Sequence, residues 1–378
     1  MRTTTRQNAH NMYLRMKKLL FIASEYASGM IPFATTIINT LSQDRRFEVH
    51  CICVNSRKSS YEGLIVKEAH PVFVDYPEDK IKKMIYKIWP FRIIDRIRMA
   101  CDELNPDVIH FLTGDFTLAT YISLHVDERF YYTVHDLHPH EVKTNSIMEY
   151  LIFKDIVWGY KKCRDAVENL TTSSSSQLIE LKAIYKSKKC ILTPFPTLVT
   201  EAIRNGKRIP GELRDIDGYI LFFGSVNTYK GVDLLIEAFE RSKVMGCIKL
   251  VIAGRGESYE IHSDNIIRIN RFIDDEEVSV LFKKARLVVY PYISATMSGV
   301  LSLAYFFDKL VLASDIPFFR EYATENVSFF QVGSIDSLQE SLETMVARAE
   351  DYHVEKLGYE RLYSGQALSE AYWNLYND

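Results

Sequence analysis

The chain of 378 residues is 47% hydrophobic and 25% charged, more than one hydrophobic core usually serves, so two globular domains are expected. Lys plus Arg number 46 against 49 Asp plus Glu, a net charge of -3, which offers no global attraction to nucleic acid and excludes it as an expected partner. The six cysteines are scattered, only Cys51 and Cys53 being close; they form neither a zinc spacing nor a disulfide framework, which fits a reducing cytoplasm.

The opening stretch MRTTTRQNAHNMYLR is polar and unpatterned, with Met12 and Met16 as alternative starts. The apolar run Leu19 to Ala23 is too short for a signal-peptide core and leads into Ser24 and Glu25, so it reads as the first strand. No apolar run approaches the roughly 20 residues that cross a bilayer, and the protein is expected in the cytoplasm, soluble or peripheral at the inner face of the membrane. Further strands are predicted at Val49 to Val54, Val72 to Asp75, Val108 to Leu112, Tyr131 to Val134 and Cys190 to Leu192, alternating with amphipathic helices in the manner of a parallel sheet. Lys80 to Pro90 reads as an additional basic amphipathic helix. Ile81, Met84, Ile85, Ile88 and Trp89 share one face, and Lys80, Lys82, Lys83 and Lys87 lie largely off it. That face either rests on an anionic membrane or packs against its own domain.

Pro194, Pro196, Gly206 and Pro210 interrupt the chain between Thr193 and Asp217, and the alternating pattern then restarts. Strands are predicted at Tyr219 to Phe223, Lys249 to Ile252, Ile266 to Ile269, Leu287 to Tyr290 and Leu310 to Leu312, followed by helices from Ile335 to Ala349 and from Tyr359 to Tyr376. The domains read as 1–195, a linker 196–217, 218–358, and a terminal helix 359–378 that returns to the first domain. The fold class is α/β with two Rossmann-like domains. Ligands of such sheets bind beyond the carboxyl ends of the strands. There, Gly224 lets backbone approach a ligand and Lys230 supplies a positive charge for a diphosphate; the alternative is a turn with a solvated lysine. Gly254, Arg255 and Gly256 follow the next strand without the full dinucleotide fingerprint, so no hydride-transfer cofactor is indicated. Ser298 and Gly299 open a helix whose first amides are free.

These loops resemble, in order and spacing, the family-four glycosyltransferases of GT-B fold, of the kind that build bacterial surface polysaccharides. The match is strongest from Gly218 to Glu321, through FFGSVNTYKGVDLLIEAF, LVIAGRGE, RFIDDEEVSVLFKKARLVVYPY, Ser298-Gly299-Val300 and LASDIPFFRE. It is looser in the first half, at Asn105-Pro106-Asp107-Val108-Ile109-His110 and at Thr133 to His140. The resemblance implies two domains facing a cleft, a nucleotide-diphosphate sugar as donor, a glycan or lipid-linked acceptor, no cofactor, no metal and retention of configuration. Gly224 and Lys230 would contact the diphosphate, Phe272 and Ile273 the base, and the amides of Ser298, Gly299 and Val300 the phosphates. Glu321 is either a polar anchor nearby or a helix-end charge.

Two departures from the family pattern matter. A pair of glutamates, one of which binds ribose in many relatives, is replaced by Thr296 and Ala304, and the arginine common before the lysine is absent, leaving Ser225 and Asn227. Thr296 and Asn227 thus join the candidates on the donor side, with Arg255 or Arg271 as a compensating cation, the alternative for either being a surface salt bridge.

In the first half, Gly29 and Met30 lie in a small-residue loop after the first strand, on the acceptor side. His135 and Asp136 are the candidate catalytic pair. His135 would hydrogen-bond the transferred sugar or the leaving oxygen, and Asp136 would orient local groups; the alternative is two structural caps. His135, His138 and His140 also admit a metal-site reading, which Pro139 and the family's metal independence oppose. The implied mechanism is positional and electrostatic, with the charge on the leaving phosphate stabilised in a closing cleft. Other functions on this architecture are a catalytically weakened glycan-binding or scaffold subunit, an epimerase and a phosphorylase.

Overall fold

The computed structural model describes residues 16–24, 31–55, 61–79, 81–82, 85–86, 89–138, 147–295, 298–348 and 357–377. The chain divides into two compact units. The first takes the residues up to Thr171 together with Tyr185–Thr193 and the residues from Leu368 on; the second takes Thr172–Ile184 and Pro194–Ala367. The stretch 196–217 lies in the second unit, where it carries the short helix Glu201–Asn205.

In the first unit, strands β1 (Lys17–Ser24), β2 (Phe47–Asn55), β3 (Pro71–Asp75), β4 (Val108–Phe111), β5 (Phe130–Thr133), β6 (Asn169–Thr172) and β7 (Lys189–Leu192) form a sheet of order β3-β2-β1-β4-β5-β6-β7. The pairs β3–β2, β2–β1, β1–β4, β4–β5 and β5–β6 run parallel. Register follows the apolar pattern: Leu19 pairs with Val49 on one side and Val108 on the other, and all three are buried. The second unit repeats the plan with β8 (Tyr219–Phe223), β9 (Leu250–Ala253), β10 (Ile266–Ile269), β11 (Ala285–Tyr290), β12 (Leu310–Ser314) and β13 (Val327–Phe330) in the order β10-β9-β8-β11-β12-β13, every neighbouring pair parallel. β9 and β12 are buried along their whole length, as strands covered by helices on both faces must be. The helix Val232–Arg241 supplies one such cover, burying Val232, Leu235, Ile236 and Phe239 at helical spacing.

Two strands escape the sequence pattern, β6 and β13. The terminal helix is also two helices, Leu357–Tyr363 and Gly365–Asn377, with the Ser364 hydroxyl accepting from the Ala367 amide at 3.2 Å to start the second. All six cysteines are free, and Cys247 alone among them is exposed.

The second of these helices is tied to the first unit by a buried polar contact. His110, inside β4, has Nδ1 at 2.6 Å from the Tyr376 hydroxyl and Nε2 at 2.9 Å from the Thr133 hydroxyl. Burial pushes its pKa down to about 3, so the ring is neutral. Tyr376→Phe keeps the ring packing and leaves Nδ1 unpaired in the core. The variant is expected to lose about 1–3 kcal/mol of unfolding free energy in a urea titration; an unchanged midpoint would show that this contact does not anchor the helix.

Candidate functional site

Each sheet is wound in both directions from its first strand, so a crevice opens where the winding reverses, at the carboxyl ends of β1 and β4 in one unit and of β8 and β11 in the other.

In the second unit the loops after β8 and β9 lie backbone to backbone. A Cβ on Gly254 would stand 2.0 Å from the Gly224 carbonyl oxygen, and Gly254 has φ +143°, so only glycine fits. The Gly224 amide in turn donates to the Ala253 carbonyl at 3.0 Å. This platform holds Lys230, at the end of the turn Thr228–Lys230. The Lys230 side chain is buried, its Nζ lying 3.1 Å from the Ser225 hydroxyl and 3.2 Å from where a Gly224 Cβ would stand. Its ammonium sits over the ring of Tyr292 at 5.3 Å from the centroid and near that of Tyr229 at 5.9 Å. Among the described residues it has no carboxylate partner. Burial lowers its pKa, Tyr229 opposing.

The other candidates of this unit distribute around the platform. Asn227 is half-buried, its carbonyl accepting from the Lys230 amide at 2.9 Å and its side-chain amide donating to Ser225 at 3.3 Å. Arg255 is exposed and has no ion-pair partner among the described residues. Arg271, by contrast, is bidentate to Glu277 and to Glu212 at 2.7–3.1 Å, so it is committed within the protein. Phe272 is 73% exposed while Ile273 is buried; of the two, only the phenylalanine ring is open to a flat ligand. Ser298 is half-buried and Gly299 precedes the helix Val300–Phe306. A Cβ on Gly299 would meet the Leu198 side chain at 2.4 Å, so the missing side chain there makes room for packing. The Val300 side chain is buried, and Thr296 lies outside the described residues. Glu321 accepts from the Ser175 amide at 2.8 and 3.1 Å and from its hydroxyl at 2.6 Å, which makes its carboxylate the cap of the helix Ser175–Ile184.

In the first unit, Gly29 and Met30 lie outside the described residues, as does His140. His135 follows β5 and is half-buried; its Nε2 lies 2.6 Å from the Leu112 carbonyl oxygen, its Nδ1 is buried without a partner, and its ring meets Phe33 edge-on. Since a carbonyl only accepts, Nε2 carries the proton and Nδ1 presents a lone pair. Asp136 accepts from the His138 amide at 3.2 Å, shaping the turn. Among the described residues no three His, Cys, Asp or Glu side chains converge as metal ligands. Two features of these crevices had no signal in the sequence. One is the buried set Ser24, Thr113 and Asp115, where Ser24 donates to Asp115 and its amide to Thr113 at 2.6 Å. The other is the pair of tyrosines around Lys230.

Two Rossmann-like units in one chain, each opening at its switch point, define the GT-B class of fold. Residues 207–356 match the family model of the glycosyl transferases group 1, the segment in which the sequence resemblance is strongest. It is 23% identical over 235 residues to the O-antigen chain mannosyltransferase C of Escherichia coli, an alignment covering 60% of this chain and 61% of that protein. Among solved structures it is similar to sucrose-phosphate synthase from Thermosynechococcus elongatus, with a TM-score of 0.67 at 11% identity, covering 96% of this chain and 98% of that one. It is also similar to the HepE protein of Anabaena in complex with UDP, with a TM-score of 0.62 at 12% identity over 94% and 98% of the two chains.

His110 and His135 give the first unit a pH dependence. Burial pushes His135 down to about 4 and His110 down to about 3, below their ordinary 6.5. Their contribution is therefore complete above pH 6.5 and drains away as the pH falls toward 4, because the unfolded chain takes up protons that the folded one refuses. His135→Gln is expected to flatten the dependence of unfolding free energy on pH between 6 and 4.5 by about 1.4 kcal/mol per pH unit. Denaturant titrations at several pH values measure it, and identical slopes would mean that His135 is accessible to protons in the folded state.

Proposed function

We propose that this chain is a glycosyltransferase that moves a sugar from a nucleotide-diphosphate donor to a glycan or lipid-linked acceptor in polysaccharide biosynthesis, with retention of configuration. The observation that carries this is Lys230, a buried ammonium without a counter-ion among the described residues, at the mouth of the β8–β11 crevice. An uncompensated charge is costly to bury, and a diphosphate supplies what it lacks. The relative that is named as an O-antigen chain mannosyltransferase supports the polysaccharide role, and the UDP bound by HepE supports a nucleoside diphosphate as ligand.

In this reading Lys230 and the first amides of the helix Val300–Phe306 stabilise charge on the leaving phosphate, without a metal ion. Phe272 stacks on the base, Arg255 and Asn227 border the phosphates, and Gly224 and Gly254 shape the platform. Of the two roles open to His135, accepting a hydrogen bond from a sugar hydroxyl fits better than protonating the leaving oxygen, because its one ring proton is directed at Leu112. Asp136 holds the turn that carries it. Ala304, fully buried, leaves no carboxylate at its position, which favours as second reading a subunit that binds nucleotide-sugar without turnover.

Lys230→Ala is expected to weaken affinity for nucleoside diphosphate at least tenfold while the melting temperature is kept or raised, since removal relieves a buried charge. Calorimetry with UDP and other nucleoside diphosphates, beside a transfer assay over a panel of nucleotide-sugars, measures both. Binding and turnover like wild type in the folded variant would remove Lys230 from the site, and wild-type binding without any turnover would favour the second reading.

We also place the chain at the inner face of an anionic membrane. Ile81, Ile85 and Trp89 recur at four-residue intervals and are 67%, 51% and 67% exposed, with exposed Lys82 beside them; this opposes the packing of that face on its own domain. Lys80, Lys83, Met84, Lys87 and Ile88 lie outside the described residues. Among the described residues no helix is long and apolar enough to cross a membrane, and an apolar row with flanking lysines suits a surface contact. Co-sedimentation with vesicles containing anionic lipid is expected for wild type and lost in Lys82→Glu, Lys83→Glu, Lys87→Glu. Equal binding of the two proteins, or none by wild type, points to a soluble acceptor.

A further inference from the structure

An ammonium that must attract a diphosphate is poorly served by a carboxylate neighbour, which would cancel its charge and repel the ligand. A ring face offers attraction without net charge. The Lys230 site is built on the second plan. Its ammonium has the Tyr292 ring at 5.3 Å, the Tyr229 ring at 5.9 Å and one hydroxyl, that of Ser225.

Tyr292 is itself held in place. It is 1% exposed and packs against Phe319 at 5.2 Å, Tyr290 at 5.9 Å and Tyr229 at 6.4 Å between ring centroids. Tyr290 is fixed in turn, donating from its hydroxyl to the Val300 carbonyl at 3.1 Å, at the start of the helix Val300–Phe306. Burial raises the pKa of the Tyr292 hydroxyl, with the nearby Ser298 hydroxyl opposing, so the ring stays a neutral phenol.

We propose that Tyr292 is a positioning residue for the nucleotide-sugar: its ring seats the Lys230 ammonium with its full charge available to the diphosphate. The inference rests on the reading of Lys230 as a diphosphate ligand and adds what makes a single lysine sufficient where this loop has no second cation. The seat is rigid before the ligand arrives, so little reorganisation is left for the moment of binding.

Inorganic pyrophosphate isolates the effect, because it carries the diphosphate without base or sugar. In calorimetry, Tyr292→Leu, which keeps apolar volume and removes the ring face, is expected to weaken pyrophosphate binding about 3- to 30-fold, the range of a desolvated cation–π contact. Tyr292→Phe keeps the face and is expected to stay within about 3-fold of wild type. Combined with Lys230→Ala, Tyr292→Leu is expected to cost nothing further, a result that a structural role would not give. Because Tyr292 lies in the core, Tyr229→Leu at a half-buried position provides a second variant, with a smaller loss that also disappears in the Lys230→Ala background. Wild-type affinity in Tyr292→Leu, equal losses in the Phe and Leu variants, or additive losses with Lys230→Ala would each overturn the seat while leaving the diphosphate reading intact. Failure of wild type to bind either pyrophosphate or UDP would overturn both.

Discussion

A parallel sheet whose connections wind outward in both directions from its first strand leaves one gap between neighbouring strands that no crossover covers. Both units of this chain obey that constraint, with orders β3-β2-β1-β4 and β10-β9-β8-β11 at their centres. Everything of chemical interest depends on it. The main-chain groups at the carboxyl ends of β1, β4, β8 and β11 are held by their ladders, and the loops that leave them are free to differ. Ser24 ends β1 in one unit, with His135 after the neighbouring β5, and Gly224 and Tyr292 follow β8 and β11 in the other.

Within the second unit the gap is paved by glycine. The contact between Gly224 and Gly254 brings two loop backbones closer than any side chain allows, and the lysine folds back over that surface instead of extending into water. Its burial has a cost in desolvation, carried by the rest of the unit, whose strands β8, β9, β11 and β12 are almost wholly buried. A site that is destabilising when empty and satisfied when filled is the usual signature of binding chemistry.

Much of this was legible in the sequence, for physical reasons that differ by element. β8 and β9 were readable because each is an unbroken apolar run ended by a glycine, and the loops after them inherit their visibility from that contrast. β6 was hidden because Asn169-Leu170-Thr171-Thr172 buries hydroxyls, Thr171 lying 3.0 Å from the Thr133 hydroxyl; a polar strand has no apolar period to find. β13 was hidden because its residues Val327 to Phe329 are only half-buried and it is short. Glu321 finds Ser175 across 146 residues of chain, and Gly299 finds Leu198; no local pattern encodes either meeting. The seat of Lys230 falls in the same class, since nothing about Tyr292 in sequence says that its face will be turned to an ammonium.

Desolvation acts on both candidate sites, and the sign of the charge decides what it accomplishes. For His135 it removes the proton at any pH well above about 4, leaving a lone pair that accepts a hydrogen bond and cannot offer one. For Lys230 it works against the charge that a diphosphate requires. The lysine must therefore be helped to keep its proton, and the help has to come from groups that do not compete for it. Ring faces and a neutral hydroxyl meet that condition; a carboxylate does not. Under the proposed function a bound diphosphate completes the compensation, raising the affinity of the lysine for its proton as the proton raises the affinity of the site for the ligand. On that proposal binding and protonation are linked through one atom, Nζ of Lys230, and the aromatic residues around it favour the protonated form without competing for the ligand.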